Sequence, residues 1–123
     1  GCQTIVRYLE TLPENTKCGG VIFVAGFFKH LTGLGNDSIV RSISEEWLRT
    51  PINFKKVKDC LKRSIAIFSD NDPYVPLDNQ DEFVNLLGSK IIVEHDKGHF
   101  SGSTGMQQLP IVLSSIIEIV HQW

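Results

Sequence analysis

The chain has 123 residues, of which 41% are hydrophobic and 21% are charged, and this composition is typical of one globular domain with a substantial core. Its formal net charge of −2, with lysine and arginine spread along the sequence, gives no electrostatic basis for binding nucleic acid or an anionic membrane. No apolar run approaches the roughly 18 residues that a membrane-spanning helix needs. We therefore expect a single domain with no nucleic-acid or membrane partner.

The cysteines argue against a disulfide framework or a metal site. The sequence has three of them, widely separated and in no metal-binding spacing: Cys2, Cys18 and Cys60. An odd and sparse set of this kind indicates free thiols in a reducing compartment. The sequence therefore predicts a cytoplasmic location.

A helix and then a strand are predicted at the start of the chain. Apolar residues at helical spacing predict a helix over 2–12, and only Gly1 precedes it where a capping residue is usual. We therefore expect that the sequence begins inside a longer domain. The continuous apolar run 20–25 does not alternate with polar residues, which predicts a strand buried on both faces.

The middle of the chain is predicted to be helical. After a glycine-containing loop over 26–37, Ile39, Ile43 and Trp47 recur every four residues and indicate a helix over 38–48. Pro51 ends that pattern, and a second short helix is predicted over 54–61. We expect the region around 26–62 to form a short cap-like insertion.

The second half of the chain alternates strands and helices. Strands are predicted over 64–68 and 90–94, with an amphipathic helix over 77–87 between them whose inner stripe comprises Gln80, Phe83, Val84 and Leu87. The final helix, with Pro110 in its first turn, has a broad apolar face made of Leu109, Val112, Leu113, Ile116, Ile117 and Val120. This alternation predicts an α/β protein with a parallel sheet and right-handed crossovers.

Two loops that follow predicted strands carry an acid and a base. Asp72 lies after the strand 64–68 and His99 after the strand 90–94, so both are expected at the carboxyl edge of a parallel sheet. There Asp72 could orient His99 for general acid–base chemistry. Taken singly, each is more simply a turn or loop residue, but the two together favour the functional interpretation. Asp70 competes with Asp72 for the role of the acid.

Metal and nucleotide chemistry are the weaker alternatives. Asp70, Asp72 and Asp78 could together suit Mg²⁺ or Ca²⁺, but no EF-hand spacing accompanies them. No glycine-rich phosphate loop follows any of the predicted strands. We therefore predict neither a metal nor a cofactor.

Four segments resemble a known family. They are the strand 20–25, the segment 51–58, the segment 69–76 (SDNDPYVP) and the Gly-His-Phe motif at 98–100. In these the chain resembles the carboxyl-terminal two thirds of small α/β-hydrolases of the retinoblastoma-binding-protein-nine and YdeN type. The resemblance implies that residues 1–123 are part of a single three-layer α/β domain whose amino-terminal part, with the nucleophile strand, is missing. It also implies Asp72 as the acid and His99 as the base.

The same resemblance implies a nucleophile outside the sequence. The family's serine lies in a Gly-x-Ser-x-Gly turn, and Gly1 followed by the helix 2–12 resembles the last glycine of that turn. The serine would then stand two residues before Gly1. Ser101 and Ser103 share the loop of His99, and Cys2 faces the core side of its helix, so none of the three is expected to replace it.

The sequence therefore suggests two alternative functions. The first is a serine hydrolase of small ester or amide substrates that is inactive as this chain alone, because its missing amino-terminal half would supply the serine. The second is a non-catalytic module that binds a protein partner, suggested by the aromatic residues Phe27 and Phe28. In the first interpretation these two aromatics cover the active site and bind substrate. An exposed edge on the strand 20–25 predicts either that the chain alone is poorly soluble or that its missing half is nearby.

Overall fold

The computed structural model describes residues 1–121, apart from the side chain of Thr104. Within them five helices and three strands follow one another in the predicted alternation. The helices are α1 (Cys2–Leu9), α2 (Ser38–Arg49), α3 (Phe54–Cys60), α4 (Gln80–Leu87) and α5 (Pro110–His121). The strands are β1 (Val21–Val24), β2 (Ser64–Ser69) and β3 (Lys90–Glu94), and short 3₁₀ turns cover Leu77–Asn79 and Gly102–Thr104.

The three strands form one parallel sheet in the order β1-β2-β3. Val21 pairs with Ser64, and Ile65 pairs with Lys90, so the strands run side by side in close register. Because β2 is central and covered on both faces, all six of its residues are buried. The predicted α/β fold with a parallel sheet is confirmed.

Helices cover both faces of this sheet. Alternate side chains of β2 point to opposite faces. Ala66 and Phe68 join the larger core cluster, which α1, α3 and α4 complete, whereas Ile65 and Ile67 join a smaller cluster with Ile119 of α5. This gives three layers, with the carboxyl ends of all the strands at one edge.

The two helices in the predicted cap-like region differ in how they pack. Val57 and Cys60 of α3 are buried in the larger cluster, so α3 covers the sheet directly. In α2 only Ser44 is buried, and Asp37 caps its first turn by accepting hydrogen bonds from the amides of residues 39 and 40. Of these two helices, α2 is therefore the one that lies at the periphery of the domain.

Three predictions about burial need correction. In β1 only Phe23 is buried, because no described strand covers the other edge of β1. The sequence predicts Val84 on the inner stripe of its helix, but Val84 is exposed. The buried stripe instead extends towards the amino terminus as far as Asn79. The predicted apolar face of α5 is largely exposed, at Leu113, Ile116, Ile117 and Val120.

The correction in α5 has a physical reason. This helix is apolar around most of its circumference, so the periodicity of its sequence does not determine which side meets the sheet. Its orientation comes from packing, which turns Ser115 and Ile119 inwards and sets Ile111 and Val112 against the smaller cluster. No helix in the described part of the chain is long and apolar enough to span a membrane.

Candidate active site

The loops that follow β2 and β3 bring the predicted acid and base together. Nδ1 of His99 lies 2.8 Å from Oδ2 of Asp72, within hydrogen-bond distance. The side chain of Asp72 is 1% exposed and that of His99 is 37% exposed. A buried carboxylate thus holds one nitrogen of a ring that remains accessible from solvent.

The other oxygen of Asp72 shapes its own loop. Oδ1 accepts hydrogen bonds from the amides of Tyr74 at 2.8 Å and Val75 at 3.0 Å, which closes the turn through Pro73. Asp72 is therefore both a turn residue and the partner of His99. The turn and the contact with His99 are compatible, since each uses a different carboxylate oxygen.

The aromatic neighbour of the His99 ring is Tyr74. Their ring centroids lie 5.4 Å apart at an interplanar angle of 87°, an edge-to-face contact. Phe100, which directly follows His99, packs away from this ring against the smaller core cluster on the α5 face. The loop reaches that position because Phe100 adopts a left-handed backbone conformation, with φ of 53°.

His99 opens onto a cavity of about 410 Å³. The cavity is bounded by the start of α1, the end of β1, the loop 26–34 and the loops of the acid and base. Apart from His99, its lining side chains are aliphatic or aromatic groups and the Cys2 thiol, and the full lining comprises Gly1, Cys2, Val24, Ala25, Gly26, Phe27, Leu31, Leu34, Tyr74 and His99. A larger cavity of about 510 Å³ lies between the end of α1 and α3, and neither Asp72 nor His99 borders it.

The structure separates the two phenylalanines of the predicted substrate site. Phe27 lines the cavity, and its carbonyl accepts a hydrogen bond from Nε2 of Gln3 at 2.8 Å. Phe28 points away, with its ring centroid 4.5 Å from that of Phe83 and 5.1 Å from that of Phe54. Phe27 is thus placed to contact a bound molecule, and Phe28 supports the wall from behind.

Asp70, the competing acid, has its own histidine. Its Oδ2 lies 2.6 Å from Nδ1 of His95, and its Oδ1 accepts the amide of Asp96 at 2.9 Å. These hydrogen bonds, first that from Asp96 and then that from His95, lower the pKa of the Asp70 carboxyl, and Asp70 in turn raises the pKa of His95. Because the His95 side chain is 90% exposed and borders no part of the cavity, this second pair is a surface feature.

The three carboxylates of the metal alternative do not converge. Asp78 lies 3.5 Å from Nζ of Lys29 and 3.3 Å from Nε2 of His30, whereas Asp70 and Asp72 each face a different histidine. Among the described residues, no group of three or more histidine, cysteine, aspartate or glutamate side chains could hold a metal ion.

The side chains weighed as substitute nucleophiles lie in unsuitable settings. The hydroxyl oxygens of Ser101 and Ser103 are 2.7 Å apart, and neither residue borders the cavity of His99. Cys2 does border it, but its Sγ lies 3.4 Å from the carbonyl oxygen of Val24, and burial raises the pKa of the thiol. A raised thiol pKa opposes formation of the reactive thiolate.

One residue that supports the site was missed from the sequence. Asn79 is fully buried, and its Oδ1 accepts hydrogen bonds from the three successive amides of residues 28–30. Its Nδ2 donates to the carbonyls of His30 and Pro76, both at 3.0 Å. The spacing of the sequence indicates that Asn79 is buried, because it stands four residues before Phe83 and eight before Leu87, on the same stripe of that helical segment.

A parallel sheet covered by helices on both faces, with a histidine–carboxylate pair at its carboxyl edge, defines the α/β-hydrolase-like class of protein. The sequence agrees with this class, since the family model described as serine hydrolase matches residues 1–118. The chain belongs to the serine hydrolase family, which confirms the resemblance drawn from its motifs.

YdeN of Bacillus subtilis (strain 168), named as an inferred hydrolase, is similar to this chain with 29% identity over 112 residues. That match covers 91% of the chain and 55% of YdeN. The crystal structure of the ydeN gene product superposes with a TM-score of 0.82 at 26% identity and covers 98% of the chain and 61% of that structure. The chain thus has the YdeN fold and spans little more than half the length of this relative.

Proposed function

We propose that this chain supplies the base and the acid of a Ser-His-Asp triad that hydrolyses small ester or amide substrates. The observation that supports the proposal is the 2.8 Å contact between the buried carboxylate of Asp72 and His99, whose ring borders a cavity. Membership of the serine hydrolase family supports the same chemistry. His99 and Asp72 are the catalytic pair in this proposal.

In the proposed reaction, His99 moves protons and Asp72 orients it. Nε2 of His99 takes the proton of the serine hydroxyl as the serine oxygen bonds to the substrate carbonyl carbon. Asp72 accepts a hydrogen bond from Nδ1–H and so stabilises the imidazolium that forms. His99 then protonates the departing alcohol or amine, and it activates a water molecule in the same way to release the acyl group from the serine.

The nucleophile in this proposal is a serine that precedes Gly1 by two residues in a longer protein. Gly1 and Cys2, at the start of α1, border the same cavity as His99, so a residue joined directly to Gly1 approaches that ring. The amino terminus of α1 also carries partial positive charge that favours the oxyanion of the tetrahedral intermediate. On this basis the chain alone holds two members of the triad and is inactive.

The apolar lining suggests the kind of acyl group that binds. Phe27, Leu31 and Leu34 form much of the cavity wall, and His99 is the only imidazole there, with no carboxylate or basic aliphatic chain beside it among the described lining residues. A cavity of about 410 Å³ suits a small acyl group. We therefore propose neutral, apolar acyl esters or amides as the substrate class.

The test is reaction of the longer protein with a fluorophosphonate probe, which labels activated serines. His99→Ala and Asp72→Asn are each expected to slow labelling by about 10²- to 10⁴-fold, because the serine loses its base or the base loses its orientation. His95→Ala and Asp59→Asn are the matched controls, since each removes one member of an exposed ion pair that borders no part of the cavity of His99, and they are expected to leave labelling within about twofold of the unaltered protein. No labelling of the folded protein, or an equal loss in both sets of variants, would overturn the proposal.

A second candidate is the non-catalytic module that binds a protein partner. The observation that favours it is the exposed apolar side of α5, with Leu113, Ile116, Ile117 and Val120. On this account the longer protein shows no reaction with the probe, and the Asp72 and His99 variants bind the partner as well as the unaltered protein does. The probe experiment therefore discriminates between the two candidates.

A further inference from the structure

The loop that carries His99 is held by an unusual set of hydrogen bonds. Three successive amides, those of residues 96–98, each donate to a side chain at the end of β2 or in the loop that follows it. The acceptors are Oδ1 of Asp70 at 2.9 Å, Oγ of Ser69 at 3.0 Å and Oδ1 of Asn71 at 2.8 Å. We call these three side chains and three amides the loop clamp.

The members of the loop clamp also bond to one another. Oγ of Ser69 donates to Oδ1 of Asn71 at 2.8 Å, and Nδ2 of Asn71 donates to Oδ1 of Asp96 at 2.7 Å. Ser69 is buried at the end of β2, so the sheet fixes the position of its hydroxyl group. Asn71 uses both atoms of its amide group in the loop clamp and leads directly into Asp72.

The backbone of this loop needs such support. Asp96, Gly98 and Phe100 all have left-handed conformations, with φ of 57°, 56° and 53°, so His99 stands between two of them. Residues other than glycine rarely adopt this conformation, and it persists where the surrounding structure fixes it. The loop clamp provides that constraint on the residues immediately before His99.

We propose that Ser69 and Asn71 are positioning residues that act through the backbone of residues 96–98 to keep Nδ1 of His99 on the carboxylate of Asp72. The geometric part of this proposal concerns the chain itself, and its catalytic consequence rests on the proposed function. One short segment after β2 thus supplies both the partner of His99, which is Asp72, and the groups that place His99 against it.

The test reads the state of the His99 ring by NMR in the ¹⁵N-histidine-labelled protein. With the loop clamp intact, the neutral ring is expected in the Nδ1–H tautomer, with an Nδ1 proton that exchanges slowly with water. Ser69→Ala and Asn71→Ala are each expected to speed that exchange by about tenfold or more, since each removes an acceptor for a loop amide together with a bond inside the loop clamp. The share of the Nδ1–H tautomer is expected to fall with it.

Two matched controls separate positioning from a general loss of stability. Ser64 lies at the other end of β2, and its buried hydroxyl is 2.6 Å from that of Ser89, so Ser64→Ala removes an equally buried hydrogen bond away from the loop clamp. Asn85 is an exposed asparagine on α4, so Asn85→Ala matches the change at Asn71. Both controls are expected to leave the exchange of the His99 proton within about twofold.

Each outcome decides the matter. An unchanged His99 ring in Ser69→Ala and Asn71→Ala, or an equal change in Ser64→Ala, would overturn the proposal. If Asn71→Ala does not fold, Ser69→Ala against Ser64→Ala decides alone. The NMR signals of the ring do not depend on a nucleophile. A protein whose variants show the expected faster exchange of the Nδ1 proton, but which does not react with the fluorophosphonate probe, would overturn the proposed function and still support the role of the loop clamp.

Discussion

Replacement of Asn79 by alanine is expected to destabilise the protein far more than the loss of one polar side chain usually does. Oδ1 of Asn79 accepts the amides of residues 28–30 at 3.2, 2.9 and 3.3 Å, and Nδ2 satisfies the carbonyls of His30 and Pro76. Asn79 is 0% exposed, so water cannot simply take its place. The variant leaves three donors and two acceptors without this partner.

The size of the loss follows from these contacts. The three amides share one oxygen, so they lose less than three independent hydrogen bonds would. Each orphaned buried group costs about 1–3 kcal/mol, and the vacated volume adds to that cost. Because the groups lie on a loop that can partly relax towards solvent, we expect Asn79→Ala to lower the free energy of unfolding by about 2–4 kcal/mol.

The assay is urea unfolding followed by circular dichroism, with Asn85→Ala as the control. Asn85 is exposed on α4, six residues beyond Asn79, and its replacement is expected to change the free energy of unfolding by less than about 0.5 kcal/mol. If Asn79→Ala loses no more than this control, the hydrogen bonds to residues 28–30 contribute nothing net to stability. Asn79 would then not be what holds the loop 28–30 in the cavity wall.

Two further predictions concern the exposed histidine–carboxylate pair and the backbone of the cavity wall. An NMR titration is expected to find the pKa of His95 above its ordinary 6.5 and to find that pKa reduced in Asp70→Asn. The pKa of Asp70 is lowered from 3.8, so the pair stabilises the fold fully between pH 3.8 and 6.5. This stabilisation is lost as the pH falls through the pKa of Asp70 or rises through that of His95. An added Cβ at Gly26 would lie 2.6 Å from Cζ of Phe83, so Gly26→Ala is expected to lower the free energy of unfolding by about 1–3 kcal/mol. An added Cβ at Gly102 would have no atom within 4 Å, so Gly102→Ala is expected to leave the free energy of unfolding almost unchanged. A His95 pKa insensitive to Asp70, or equal stabilities of the two alanine variants, would contradict these expectations.

The parts of the fold that could be predicted from the sequence are those that depend on local pattern. Continuous apolar runs identified all three strands, and their alternation with helices implied a parallel sheet. Parallel strands end at the same edge, so the approach of Asp72 and His99 followed from topology without any knowledge of side-chain contacts. These inferences need only the order of the elements and the direction of the strands.

The parts that could not be predicted depend on packing between distant segments. The inward side of α5 is determined by the shape of the sheet surface, because its own sequence offers apolar residues on nearly every side. The loop clamp holds a segment with left-handed backbone at Asp96 and Gly98, and the sequence pattern does not specify which loop residues adopt that conformation. Its hydrogen bonds join side chains of one loop to amides of another, and sequence periodicity carries no information about such bonds.

Burial, and not distance, distinguishes the histidine–carboxylate pair to which we assign the catalytic role in the proposed function. The contacts are alike, 2.6 Å for His95 with Asp70 and 2.8 Å for His99 with Asp72. The Asp70 side chain is 37% exposed and faces a histidine that is 90% exposed, so water screens their attraction and the His95 ring can turn away at little cost. The Asp72 side chain is 1% exposed, so its bond to Nδ1 is screened much less and can fix the tautomer that leaves Nε2 free to accept a proton. Of the two pairs, only the second has the environment that the proposed general-base role requires, and in our proposal the loop clamp keeps His99 within it.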